Sequence, residues 1–170
     1  MGELIIMMGI PGSGKSTFTK GIMDLDNDIY VSRDDIRFEL LKDKDDYFSH
    51  ENEVWNLFIK KIIEGLQQDK KVWADATHIN KASRGKLLNA VCNKIIPDSI
   101  SIIFMDTNVK VALERNNYRG GRAHVPDDVI YSMWRGLQLP RYNEFPKWKY
   151  ENIWIKEVNI PIYRMEEDNE

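Results

Sequence analysis

One cysteine in 170 residues leaves Cys92 nothing to pair with, which excludes an internal disulfide and any cysteine-rich zinc site and suits a reducing compartment. Within L-L-N-A-V-C the thiol reads as a small buried apolar group, not a nucleophile. Long apolar runs are also lacking. The opening M-G-E-L-I-I-M-M-G-I is too short to span a bilayer and has neither the basic start nor the cleavage site of a signal peptide, so it is expected as a buried strand of a cytoplasmic protein with no membrane partner. Nor is there an excess of one charge: the net value of -3 does not mark a nucleic-acid binder, although eight basic residues against four acidic ones lie between Lys110 and Lys149. No repeat, linker or low-complexity stretch interrupts the chain, and residues 1–170 are expected as one domain.

Short apolar runs alternate with longer segments of helical period. The pattern predicts strands at Leu4–Met8, Ile29–Ser32, Lys71–Asp75, Ser99–Asp106 and Asn152–Val158. Helices are predicted at Lys15–Met23, Arg33–Lys42, Ser49–Gln68, Lys81–Lys94, Val109–Tyr118 and Asp127–Gln138. This alternation predicts an α/β fold of three layers around a mostly parallel sheet of about five strands. In the longest helix Trp55, Ile59, Ile62, Ile63 and Leu66 form the expected core stripe.

The segment G-I-P-G-S-G-K-S, Gly9 to Ser16, matches G-x-x-x-x-G-K-[ST] between an apolar strand and a helix that starts S-T-F-T-K. Glycines allow successive N–H groups to point at phosphate oxygens, and the helix N-terminus behind them favours negative charge. Gly9, Gly12, Ser13, Gly14 and Thr17 are therefore expected around the phosphates, Lys15 as a point charge for the β and γ phosphates, and Ser16 as a hydroxyl for Mg²⁺, with ATP as the cofactor.

Beyond this loop, Y-V-S-R-D-D-I-R places two carboxylates between two arginines. Ser32 and Asp35 have the spacing of a capping box, and Val31 with Ile36 that of a hydrophobic staple, so Asp35 is assigned to starting the helix. Asp34 has no such task and, three residues before Arg37, shares its face. Ligands of open α/β sheets sit beyond the carboxyl ends of strands, where this helix begins. Asp34 is thus the candidate general base for an alcohol acceptor, and Arg37 the group that grips an anionic part of it.

Two further segments suit the same site. W-A-D-A-T-H-I-N ends a strand at Asp75, a carboxylate able to organise Mg²⁺ or to orient Arg37; Asn80 reads as a helix cap, Thr77 and His78 as acceptor contacts, and His78 equally well as an exposed side chain. Asp106, which also ends an apolar run, fits a metal-organising role as well as Asp75 does. R-N-N-Y-R-G-G-R carries Arg115, Arg119 and Arg122 around a glycine pair, a segment able to close over phosphates as a lid spanning about residues 116–126, with Arg115 equally well a helix-surface or ribose-side residue.

G-x-P-G-S-G-K-S-T, R-D-D-x-R, D-A-T-H-I-N and E-R-N-N-Y-R-G-G-R-A-H-V-P-D-D-V-I occur in an order that resembles the kinase domain of bacteriophage-type polynucleotide 5′-hydroxyl kinases, over residues 3 to 140. The resemblance implies a P-loop kinase fold and ATP- and Mg²⁺-dependent transfer to the 5′-hydroxyl of an RNA or DNA end. It puts the base on Asp34, the grip on the 3′-side phosphate on Arg37, the metal-organising carboxylate on Asp75 in preference to Asp106, and the lid arginine on Arg119. Asp106 is then a turn or cap residue. A small-molecule or nucleotide acceptor is the rival expectation, and a nucleotide-binding switch with no acceptor a third. The length leaves no room for a 3′ phosphatase or ligase, which are expected on separate chains. Tyr131, Trp134, Tyr142 and Trp148 lie among basic residues, as in surfaces that stack bases, but core packing is the expectation for Trp134.

Overall fold

The protein is described by a computed structural model over residues 2–141 and 153–159. The elements run β1 (Glu3–Met8), α1 (Lys15–Ile22), β2 (Ile29–Ser32), α2 (Arg33–Leu40), α3 (Glu51–Gln67), β3 (Val72–Asp75), α4 (Lys81–Cys92), β4 (Ser99–Asp106), α5 (Val109–Asn117), a 3-10 turn (Gly121–Ala123), α6 (Asp127–Arg135) and β5 (Ile153–Asn159). Every predicted strand and helix is present, with helix ends shorter than expected by one to three residues. Gly136 caps the end of α6 ahead of the predicted Gln138.

Five strands pair in the order β2-β3-β1-β4-β5, all parallel. Their side chains alternate between two cores. Leu4, Ile6 and Met8 of β1 join Phe58, Ile62 and Leu66 of α3 and Leu87, Leu88 and Val91 of α4 on one face. Ile5 and Met7 join Trp73, Ile103 and Met105 on the other, against Phe18 near the start of α1. A sheet apolar on both faces is stable only when helices cover both, which explains the unbroken apolar runs. With β1 in the centre, the carboxyl ends of β1, β2 and β3 bring Gly9, Ser32 and Asp75 to one edge.

Three local expectations are corrected. The buried face of α3 is Val54, Phe58, Ile62, Gly65 and Leu66, whereas Trp55, Ile59 and Ile63 flank it half-buried. The indole of Trp55 instead receives Lys86 Nζ 4.4 Å from its centroid. Cys92 is half-buried at the edge of the core, not inside it.

The third concerns the start of α2. Ser32 Oγ accepts the Asp35 N–H at 3.1 Å, and Val31 and Ile36 are buried in one cluster, as cap and staple require. The return bond from the Asp35 side chain is missing: Asp35 is exposed, and its carboxylate is one methylene shorter than the glutamate of a full box. The complete box belongs to α4, where Asn80 Oδ1 accepts from Ser83 N at 2.8 Å and Ser83 Oγ returns to Asn80 N at 3.4 Å. Among the described residues no helix is long and apolar enough to cross a membrane.

We predict that Ser32→Ala lowers unfolding stability by about 1 kcal/mol, since a cap oxygen is lost. Asp35→Ala should cost less, because the bond uses its backbone; urea titration of both variants checks the order.

Candidate active site

The glycine loop is shaped by close approach. At Gly12 (φ +79°) an added Cβ would lie 2.2 Å from the carbonyl oxygen of Ala112, so no side chain fits. Gly14 (φ +91°) caps α1 without a side-chain bond, which leaves the helix N-terminus without a side-chain acceptor. Neighbouring elements hold the loop: Gly9 N–H donates to Thr77 O at 3.0 Å, and Thr107 Oγ1 to Ser13 O at 2.9 Å. Ser13 is buried, its N–H on Ile10 O at 3.1 Å and its Oγ without a partner among the described residues. Ser16 and Thr17 are exposed.

Lys15 Nζ lies 2.9 Å from Gly9 O and 3.1 Å from Ile10 O. Burial pushes its pKa below the usual lysine value, the carboxylates of Asp75 and Asp34 oppose that shift, and the Arg119 guanidinium adds to it. The lysine of the loop, the two candidate carboxylates and the lid arginine therefore act in one electrostatic field.

Asp75, at the buried end of β3, accepts from Ser16 Oγ at 2.6 Å and from Tyr30 OH at 2.5 Å. Burial, with the Asp75 charge, raises the Tyr30 phenol well above its usual pKa, so Tyr30 stays a donor. Among the described residues no group of three or more His, Cys, Asp or Glu side chains could cage a metal. A hydroxyl beside one carboxylate at a phosphate loop suits Mg²⁺, which keeps several waters and takes its other ligands from phosphates.

On the acceptor side Arg37 is 5% exposed. Its Nε donates to Glu51 Oε1 at 2.7 Å and its Nη2 lies 2.6 Å from the same oxygen, while its Nη1 is shared between Asp34 Oδ1 and Tyr47 OH, the latter at 3.0 Å. Burial opposes this charge, but the Glu51 bond and the Tyr47, Asp34 and Glu51 charges more than offset it, leaving the pKa raised. Asp75 does not orient Arg37, contrary to one expectation; Glu51 does, because it opens α3 directly against α2. Tyr47 OH also donates to Asp34 Oδ1 at 3.1 Å, and its phenol is pushed up to about 12 by burial and then by Asp34. Both bonds fall on Oδ1, while the Asp34 side chain is 61% exposed.

The candidate lid is pinned at its base. Asn116, fully buried, donates from Nδ2 to Val125 O at 2.7 Å and accepts from Val125 N at 3.1 Å, closing the intervening segment into a loop. Arg119 is exposed on it, the backbone of Arg122 lies in the 3-10 turn, and Arg115 stands outside the loop, exposed in the last turn of α5.

Of the other candidates, His78 and Trp134 are placed differently from expectation. His78 is 3% exposed, with φ +42°, its ring stacked on Phe58 at 6.2 Å and its Nε2 without a partner among the described residues. It is neither exposed nor at the surface where an acceptor would dock. Burial, then the charges of Arg33, Lys15 and Arg84, push its pKa down to about 3. Thr77 is half-buried. Asp106 is exposed at the end of β4, and the cap of α5 is Asn108, whose Oδ1 accepts from Lys110 N at 2.9 Å. Trp134 is 47% exposed, which corrects the expectation of core packing, and Tyr131 is also exposed. Tyr142 and Trp148 lie outside the described residues.

Glu51, Tyr47, Tyr30 and Asn116 were not legible as site residues. Glu51 and Tyr47 stand 14 and 10 residues from Arg37, and Tyr30 stands 45 from Asp75, with no spacing rule connecting them. Asn116 carried a weak signal, as an amide in the last turn of a helix before a glycine pair.

Residues 4–140 match a family described as AAA domain. The L-seryl-tRNA(Sec) kinase of Methanococcus maripaludis is 29% identical over 143 residues, which are 81% of this chain and 53% of that protein. A protein of Acanthamoeba polyphaga mimivirus, provisionally named a bifunctional polynucleotide phosphatase/kinase, is 25% identical over 147 residues, 84% of this chain and 31% of that one. This chain thus spans about half, or less, of the curated relatives it matches. A solved chain of the Pnkp1/Rnl/Hen1 RNA repair complex superposes with a TM-score of 0.68 at 27% identity, covering 81% of this chain and 44% of that chain.

Because buried His78 stays neutral where an unfolded histidine takes up a proton, its contribution to stability is complete above about pH 6.5 and lost toward about pH 3. We predict a loss of up to ~1.4 kcal/mol per pH unit in that window from this group. His78→Asn, which tolerates the positive φ, should flatten the slope in urea titrations at pH 7, 6 and 5.

Proposed function

The chain belongs to the AAA domain family and has the fold of P-loop kinases, and we propose that it transfers the γ-phosphoryl group of ATP to the 5′-hydroxyl of an RNA or DNA end. One observation carries the reading: a carboxylate fixed through a single oxygen, Asp34, shares the electrostatic field of the phosphate-loop lysine. A binding switch needs no such base. The mimivirus relative and the RNA repair chain support a polynucleotide acceptor.

When bound, ATP supplies the phosphoryl group and Mg²⁺ neutralises charge between its phosphates. The backbone of Gly9–Thr17 would cradle the phosphates, and Ser16 with Asp75 would hold the cation, Tyr30 keeping the Asp75 carboxylate aimed. Lys15 leaves the Gly9 and Ile10 carbonyls for the β and γ phosphates. Arg119, on a lid pinned by Asn116 and Val125, meets charge that develops during transfer, with Arg122 on the same segment and Arg115 at the end of α5 as further phosphate ligands. Thr77 lines the acceptor side.

Arg37 grips the phosphate on the 3′ side of the terminal nucleotide. Glu51 occupies its Nε–Nη2 edge, so an incoming phosphate reaches Nη1, where Asp34 now sits. Phosphate and Asp34 compete for that donor, and the displaced Asp34 is released to accept the hydroxyl proton. Acceptor binding and activation of the base are thereby linked in one guanidinium.

A second reading, a kinase for another hydroxyl acceptor, is favoured by the 29% identity to the L-seryl-tRNA(Sec) kinase. Labelled ATP offered with 5′-hydroxyl oligonucleotides and, separately, with a panel of metabolites decides between them; label on metabolites alone refutes the first. We predict that Asp34→Asn, folded normally, loses roughly 10²- to 10⁴-fold in kcat. Full activity in that variant would remove Asp34 from the mechanism.

A further inference from the structure

The connection between α2 and α3, L-K-D-K-D-D-Y-F-S-H over residues 41–50, presents aromatic rings at the rim of the acceptor side. Tyr47 and Phe48 meet edge to face at 4.9 Å, and Phe38 of α2 lies 6.2 Å from Tyr47. Phe48 is 69% exposed. An isolated exposed phenylalanine needs no explanation, but three contiguous rings beside a candidate base and its arginine do.

The rings are held in place. Asp45 Oδ2 accepts from Lys42 N at 2.9 Å and lies 3.0 Å from His50 Nε2, and Ser49 N donates to Asp46 O at 3.0 Å. Tyr47 is fixed by its hydroxyl, bonded to both Arg37 and Asp34. The Arg37 guanidinium stands 4.5 Å from the Tyr47 centroid and 5.9 Å from that of Phe48. Phe48 is thus presented outward by an ordered loop, one ring beyond the group assigned to the acceptor phosphate.

We propose that Phe48, backed by Tyr47 and Phe38, is the platform on which the base of the acceptor's terminal nucleotide stacks. The inference rests on the polynucleotide reading and deepens it. A nucleotide whose hydroxyl is at Asp34 and whose 3′ phosphate is at Arg37 carries its base toward the neighbouring rings. The exposed face of Phe48 is uncharged, so the contact it offers is to a base and not to a phosphate. A π-face accepts every base, which makes the platform indifferent to sequence.

The test compares 5′-hydroxyl oligonucleotides that carry a normal terminal base with ones whose terminal residue is abasic, using wild type, Phe48→Ala and Phe48→Trp, each checked for an unchanged melting temperature. The expected results are a rise in acceptor KM of roughly 5- to 100-fold for Phe48→Ala on normal ends, restoration by Phe48→Trp, and no added loss for Phe48→Ala on abasic ends. Equal effects on normal and abasic ends, or no effect on either, overturn the platform while wild-type labelling keeps the acceptor reading. If wild type labels no oligonucleotide at all, the acceptor reading fails and the platform with it.

Discussion

The acceptor side depends on keeping the Arg37 guanidinium charged inside the protein. A side chain 5% exposed cannot rely on water, so the fold must bring hydrogen-bond acceptors to it. Glu51 does so from the first turn of α3, Asp34 from one turn earlier on its own helix, and the Tyr47 hydroxyl from the connection between them. Removal of any one leaves part of a buried charge unmatched, which is far more costly than the loss of a surface pair. This requirement sets the angle between α2 and α3 and orders the aromatic loop. It also immobilises Asp34 through one oxygen.

The nucleotide side is built on the same edge of the sheet from other contacts. β1 places the glycine loop, β3 places Asp75 beside Ser16, and β2 contributes Tyr30, whose raised pKa keeps it a donor to Asp75. Lys15 lies between the halves, weakened as a cation by burial and supported by Asp75 and Asp34. Neutral His78 packs behind this edge on Phe58, and the Arg84 guanidinium donates to its carbonyl oxygen at 3.2 Å. A histidine there that stays uncharged adds no cation near Lys15.

Legibility in the sequence followed the range of the interactions. The glycine loop could be read because its constraints are local: a glycine at φ +79° against a carbonyl, and a lysine and a serine at fixed offsets. The division of Asp34 from Asp35 followed from helix geometry alone, and the ion pair of Asp34 with Arg37 agrees with it. Even so, the capping box was half wrong, since spacing does not report that aspartate is too short to return the bond. Glu51 and Tyr47 could not be read, because only the packing of α3 against α2 brings them to Arg37. The same holds for His78, buried by a positive-φ turn that its sequence does not announce, and for Trp134, left 47% exposed while Ile130 one turn earlier on α6 is buried.

The central claim is that one guanidinium links acceptor capture to release of the base. It is tested most directly by comparing a nucleoside with its 3′-monophosphate as acceptors for wild-type protein and ATP. The account predicts that the 3′-phosphate raises kcat/KM at least about tenfold, the worth of one charge-assisted hydrogen bond, and that part of the gain appears in kcat. Equal kcat/KM for the two acceptors would contradict it.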